Sequence, residues 1–282
     1  MRTTQIGRQE WREAFAVVAR LYPHIPSIAL WRSWELAAYR HCSLLEPVLD
    51  VGCGDGQFFR TVWPTLRDVV GVDFDPAMVA AARASGVYRE VVAGSAQTLA
   101  VRPESFASVF ANCSLEHMQD LDLVLRNIGL ALRPGGTFLL SVVTDKFEAW
   151  QMLPLLVRKL GAGAMATRLQ ADYREFAAVR NPLSPAEWQT RIERAGFGVE
   201  AHFPIAPEIT SRLFLLLDEL WHVRAAEGEL GTELHRELAQ LPAFPQAFGR
   251  ILDAVLDLER DPGTCSGAVF FARRLAGPIR GT

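Results

Sequence analysis

Apolar positions along the chain switch between two periods. From Glu10 to Leu21 they recur at helical spacing, which predicts an amphipathic helix closed by Pro23 and Pro26. A second helix is expected from Ser27 as N-cap through Leu30, Trp31, Trp34 and Leu36 towards Tyr39. Short apolar runs at about 47–51, 68–73, 88–92, 106–111 and 136–143 then read as strands. Helical stretches at about 56–63, 76–85 and 119–132 separate them. That alternation predicts an α/β chain with a doubly wound parallel sheet. Asp75-Pro76 supplies an N-cap with proline at the first helical position. Pro134-Gly135-Gly136 is expected to stop the third of these helices, with Gly135 or Gly136 taking a left-handed C-cap.

After the fifth strand the pattern breaks. Residues 146–180 carry apolar spacing interrupted by Gly161 and Gly163. Ser184-Pro185-Ala186-Glu187-Trp188 restarts a helix with a cap, proline and an acid in the first turn. It ends at Ala195-Gly196-Phe197, and a strand is expected to about His202. Residues 209–223, with Leu213, Phe214, Leu215, Leu216, Leu217 and Leu220, are apolar nearly all round and must be buried on several sides. Phe244, Phe248, Ile251, Leu252 and Val255 form a one-faced stripe, and Ala268 to Ala272 reads as a terminal strand. The expected organisation is a helical cap (1–43), a sheet core (44–145), a helical insertion or lid (146–183), a core helix and strand (184–204), a second helical insertion (205–264) and a terminal strand with its tail (265–282).

The first strand runs directly into Asp50-Val51-Gly52-Cys53-Gly54-Asp55-Gly56. Glycine suits turns with positive φ and places where backbone approaches a ligand, and a strand–glycine loop–helix unit is a nucleotide-handling geometry. Dinucleotide folds favour G-x-G-x-x-G, whereas position 57 is Gln57 and the pattern here closes as G-x-G-x-G. The loop resembles motif I of the class I S-adenosylmethionine (SAM)-dependent methyltransferases, in their type 11-like branch. Later segments fall in that family's order: Val69 to Pro76, Gly94-Ser95-Ala96, Phe106 to His117, and Leu132 to Phe138. The resemblance implies a Rossmann-like seven-stranded sheet, mostly parallel with the last strand antiparallel, and SAM as cofactor with S-adenosylhomocysteine as product.

The resemblance also implies roles. The backbone of Gly52, Cys53 and Gly54 would pass under the methionine part of SAM, with Asp50 facing its ammonium. Cys53 reads as a small filler rather than a nucleophile. Asp73 would accept bonds from both ribose hydroxyls. Phe74 would sandwich the adenine with Met78, although Met78 equally suits ordinary helix packing. Ser95 would accept a bond from the adenine amino group, Ala96 would act through its amide, and Asn112 closes the cofactor set at the exit of the fourth strand. Arg32 has two readings, a clamp on the SAM carboxylate or a surface salt bridge to Glu35. His117 is the candidate general base because imidazole titrates near neutrality, against a purely packing role. Tyr22 and His24 are lesser candidates for substrate contacts. Asp218 and His222, one turn apart, suggest a metal pair only weakly; a solvated helix face is the favoured reading, and no metal is expected.

Composition narrows the acceptor. The 282 residues carry a net charge of −3 with a pI near 6.1, which argues against nucleic acid as partner. The fourth-strand exit, Ala111-Asn112-Cys113-Ser114, lacks the signature of base-amino methyltransferases. Half the residues are hydrophobic and mean hydropathy is +0.11, yet no apolar run is long enough to span a bilayer. The N-terminus lacks the apolar core of a signal peptide, and Cys42, Cys53, Cys113 and Cys265 form no C-x-x-C pair, which predicts a cytoplasmic protein. The expected function is methyl transfer to a small, rather apolar acceptor at oxygen: a specialised metabolite, a sugar-containing intermediate or an isoprenoid quinone. A SAM-fold protein without transferase activity, docking a partner through its helical insertion, is the alternative; that insertion is also the candidate homodimer surface. The missing third glycine disfavours an NAD-dependent oxidoreductase.

Overall fold

The computed structural model describes residues 1–99 and 101–277. In chain order the strands are β1 (Arg2–Thr3), β2 (Val48–Val51), β3 (Val69–Asp73), β4 (Glu90–Ala93), β5 (Phe106–Asn112), β6 (Leu132–Val143), β7 (Phe197–Pro207), β8 (Arg224–Ala225), β9 (Gly228–Glu229) and β10 (Cys265–Arg274). The helices are α1 (Arg8–Leu21), α2 (Pro26–Tyr39), α3 (Gln57–Val62), α4 (Pro76–Ser85), α5 (Leu121–Ala131), α6 (Lys146–Ala149), α7 (Leu153–Lys159), α8 (Gly163–Ala177), α9 (Pro185–Arg194), α10 (Glu208–Trp221), α11 (Leu230–Leu238) and α12 (Phe244–Val255).

The main sheet has the order β1-β7-β10-β6-β5-β2-β3-β4. All its pairs are parallel except those of β10, which runs antiparallel to both β6 and β7. The sheet therefore has eight strands rather than seven. The extra one is the two-residue edge strand β1, paired with Ala201 and His202, too short to carry an apolar signature. Strand β2 lies between β5 and β3 with all four residues buried, so the loop that follows it opens at the middle of the sheet's carboxyl edge.

The two faces follow from the period of two. Phe138, Leu140 and Val142 of β6 join α5 and α9 on one face, where Trp188 donates to the Val143 carbonyl at 3.1 Å. Leu139 and Val143 join α1, α2 and α10 on the other. Ser141, between them in the alternation, points its hydroxyl at Glu35 of α2.

Local signals place most helix ends. Asp75 caps α4 through the amides of Ala77 and Met78, and Ser184 with Glu187 forms the capping box of α9. Two expected caps differ. Ser27 is buried one residue inside α2, with Ile25 at the cap and Pro26 first in the helix. Helix α5 ends on an extended Leu132 with no glycine cap; Gly135 does have φ 76°, but inside β6, where the pairing with β5 shifts register. In the second insertion every residue from Ile209 to Trp221 is buried or half-buried, as an all-round apolar helix requires. The short hairpin β8–β9 carries no strand pattern in sequence. The tail beyond residue 277 lies outside the described residues.

Candidate active site

The glycine loop is shaped by steric exclusion. Gly52 has φ 74°, and a Cβ there would lie 2.5 Å from the Ser114 side chain. Gly56 has φ 77°, and a Cβ there would meet the Tyr88 ring at 2.6 Å. At Gly54 a Cβ would meet nothing within 4 Å, so its surroundings are open. The loop frames a cavity of about 100 Å³ lined in part by Tyr22, Arg32, Asp50, Cys53, Phe58 and Asn112.

Asp73, at the end of β3, holds this loop in place. Its Oδ2 accepts the Gly54 amide at 2.9 Å and its Oδ1 the Asp75 amide at 3.0 Å. Each oxygen keeps a further lone pair for a ligand. Asp50, 2% exposed, accepts the Tyr88 hydroxyl at 2.7 Å. Burial pushes its carboxyl up to about 7; the Tyr88 bond opposes this and Asp73 adds to it. Tyr88 has no local sequence signal, because it reaches Asp50 from 38 residues away. The Cys53 thiol is buried against Val79, Ala82 and Val91, and burial raises its pKa, which suits a filler.

Arg32 lies between the glycine cavity and a second one. It pairs with Glu35 at 2.7 Å and sits over the Phe58 ring at 4.9 Å. This is no surface salt bridge. The Glu35 side chain is fully buried and also accepts bonds from Ser141 at 2.5 Å and the Cys113 thiol at 2.9 Å. Burial works against the Arg32 charge and Glu35 more than offsets it. The guanidinium has donors left over, so the ion pair does not exclude a clamp.

The second cavity, about 300 Å³, is walled by rings from four helices and by the exit of β5. Trp31, Phe147, Tyr173, Phe176 and Phe214 form a chain of rings with successive centroids 5.0–6.4 Å apart. Cys113 sits at the β5 exit with φ 44°, a left-handed conformation uncommon outside glycine. His117 lies on the wall of this cavity, exposed, with Nδ1 3.3 Å from the Ala178 carbonyl. A carbonyl only accepts, so Nδ1 carries the proton and Nε2 is the acceptor. Asn181 fastens the turn by donating to the carbonyls of Leu115 and Met118.

Several predicted residues stand elsewhere. Tyr22 lines the glycine cavity rather than the His117 cavity. His24 lines neither. It sits in a separate open cleft of about 930 Å³ between α1 and α12, edge-on to His235 at 5.6 Å. Phe74 and Met78 are 78% and 37% exposed and line neither of the two cavities. Ser95 caps a short turn through the Gln97 amide at 3.2 Å, and the Ala96 carbonyl accepts from Asn127. Asn112 accepts the Tyr39 hydroxyl at 2.6 Å. Asp218 and His222 do not form a solvated face: Asp218 is buried and accepts the Tyr173 hydroxyl at 2.8 Å, while His222 stacks on Phe176. Among the described residues no group of three or more His, Cys, Asp or Glu is placed to hold a metal. Sequence reasoning missed Tyr88 and Glu116 and put the Arg32–Glu35 pair at the surface, because the surroundings of these residues come from distant elements.

A central strand, a three-glycine loop and an acid ending the next strand define the class of SAM-binding α/β methyltransferase folds. Residues 49–140 match a methyltransferase-domain family. The ubiquinone biosynthesis O-methyltransferase of Azorhizobium caulinodans is 26% identical over 72% of this chain and 74% of that protein. Its namesake from Xanthomonas campestris pv. campestris is 35% identical over 52% of this chain and 61% of that protein. The fold of a SAM-dependent methyltransferase from Thermotoga maritima covers 94% of this chain and 99% of that one, with a TM-score of 0.55 at 16% identity. Residues 49–140 are a class I SAM-dependent methyltransferase domain, with S-adenosyl-L-methionine as its cofactor. The open glycine cradle, the buried Asp50 carboxyl and the free lone pairs of Asp73 fit that group. Among the described residues no helix is long and apolar enough to cross a membrane.

Proposed function

We propose that the chain methylates a small, largely apolar acceptor at oxygen, with the acceptor in the ring-lined cavity. The observation that carries this reading is that one residue, Arg32, lines both that cavity and the glycine cavity. Acceptor and cofactor would therefore meet at Arg32. The names of the ubiquinone biosynthesis O-methyltransferases support oxygen as the target and a quinone-type acceptor, and the ring-lined cavity would equally take a specialised metabolite or a sugar-containing intermediate. The four unpaired cysteines support a cytoplasmic placement. Segments 1–43, 146–183 and 205–264 act as cover over the 44–145 core.

When bound, SAM supplies an electrophilic methyl group on a sulfonium. Gly52, Cys53 and Gly54 present backbone to its methionine part, Asp50 pairs with the ammonium and the spare donors of Arg32 with the carboxylate. Asp73 holds the ribose hydroxyls. Phe74 and Met78 would cover the adenine, with Ser95 and Ala96 at its edge, and Asn112 would line the glycine cavity. Tyr22 closes the glycine cavity. His117 would take the acceptor hydroxyl's proton at Nε2.

The test is S-adenosylhomocysteine release from SAM over a panel of phenols, quinols and amino sugars. With an accepted substrate, His117→Ala should cut turnover by about a hundredfold while SAM affinity stays at the wild-type value. Full turnover in that variant removes His117 as base. SAM binding with no turnover across the panel would favour the partner-docking alternative.

A further inference from the structure

The ring-lined cavity carries two acids that the methyl-transfer chemistry above does not use. Glu116 is 1% exposed, and its Oε2 has no hydrogen-bond partner. Asp218, 9% exposed, faces the same cavity from α10 and has the Tyr173 hydroxyl on its Oδ2. The cations around them are committed or weak. Arg32 is bonded to Glu35. His117 beside Glu116 and His222 beside Asp218 are charged only when protonated. Burial raises both carboxyls, against partial relief from His117 and the Glu116 and Val143 amides at Glu116, and from Tyr173, His222 and Ser27 at Asp218.

We propose that the acceptor bears a protonated amine, which sits among the rings of Trp31, Phe147, Tyr173 and Phe214 against Glu116 and Asp218. A buried carboxylate without a partner is costly, and a cation with donors is what relieves it. Aromatic faces attract the same cation through their quadrupoles. A neutral apolar acceptor would use the rings and leave the Glu116 Oε2 unsatisfied. The amine is an anchor: it positions the molecule, and the reacting oxygen lies elsewhere on it. The proposal rests on the cavity being the acceptor's place.

Tyramine and tyrosol share a ring and a chain and differ in amine against hydroxyl. Calorimetry on the full chain saturated with S-adenosylhomocysteine should show tyramine binding about tenfold or more tighter than tyrosol. Glu116→Gln and Asp218→Asn should each remove most of that preference while S-adenosylhomocysteine affinity, which reports an intact fold, stays unchanged. Equal binding of the two compounds, or a tyramine preference that survives both substitutions, overturns the amine. Binding of S-adenosylhomocysteine without either compound overturns the assignment of the cavity to the acceptor. Failure to bind S-adenosylhomocysteine at all would strike the methyltransferase reading first.

Discussion

Asp73 and Arg32 are both charged and both adjoin the glycine loop, but their surroundings are built differently. Asp73 ends a strand, and its carboxylate is bonded to the amides of Gly54 and Asp75. Asp75 is two residues on and Gly54 lies in the loop after the neighbouring strand β2, so its position follows from the parallel β2–β3 pairing. Arg32 sits on a covering helix. Its partner Glu35 is only one turn away, yet Glu35 is buried because Ser141 and Cys113 reach it from 106 and 78 residues along the chain. The sheet side of the cleft is thus organised mainly by pairing between neighbouring strands, and the cover by packing between elements far apart in the chain. Substitutions on the cover should therefore act first on stability, and those on the sheet side first on cofactor affinity.

The largest effect is expected at Arg32. Arg32→Met leaves Glu35 buried without its cation, and breaking such a pair costs about 3–5 kcal/mol when both partners are fully buried. A quarter of the Arg32 side chain meets solvent, which lowers the expected loss to about 2–3 kcal/mol. Urea unfolding of the SAM-free protein measures it, and the double variant with Glu35→Gln should recover most of the loss. An unchanged unfolding midpoint in Arg32→Met would place Arg32 with the locally organised residues after all.

Asp73→Ala comes next and inverts the order of effects. Losing bonds from a charged acceptor to the ribose hydroxyls should weaken SAM by about 1.5–3 kcal/mol in a calorimetric titration. Wild-type affinity in that variant would take Asp73 out of the site.

The same division explains what was legible in the sequence. The parallel sheet and the Asp75 and Ser184 caps rest on periodicity or on contacts within a few residues, whereas the antiparallel last strand is implied by family resemblance alone. The misplacements need distant partners. His24 meets His235 of α11, more than two hundred residues further along the chain. Asp218 looks solvent-facing until Tyr173 and the other covering helices bury it. Ser27 has the chemistry of a cap, but Pro26 already occupies the first position of α2. Tyr88 carries no motif, though it both blocks a side chain at Gly56 and donates to Asp50.

Asp50 offers a pH test on the sheet side. Its carboxyl is raised to about 7 in the SAM-free protein, mainly by burial. Only the ionised form pairs with the SAM ammonium, so acid must compete with the cofactor. SAM affinity should fall about tenfold, or about 1.4 kcal/mol, for each pH unit below about 7. Asp50→Asn should bind more weakly at neutral pH and lose that slope. A slope that persists in the variant assigns the titration to another group.

The smallest effect separates binding from stability most cleanly. Phe74 is 78% exposed, so it contributes little to the SAM-free fold, and Phe74→Ala should leave the unfolding midpoint within experimental scatter. If the ring stacks on adenine, the same variant should lose about 0.5–1.5 kcal/mol of SAM affinity, and Phe74→Leu should recover only part of it because an aliphatic side chain cannot stack as a flat ring does. Met78, 37% exposed and capped into α4 by Asp75, is the internal control. Met78→Ala should cost affinity if its thioether covers the opposite adenine face, and stability instead if it only packs its helix. Loss of affinity at both positions with stability intact would make the adenine edge an open, locally built surface like the rest of the sheet side. Unchanged affinity at Phe74 would mean that its exposure has nothing to do with the cofactor.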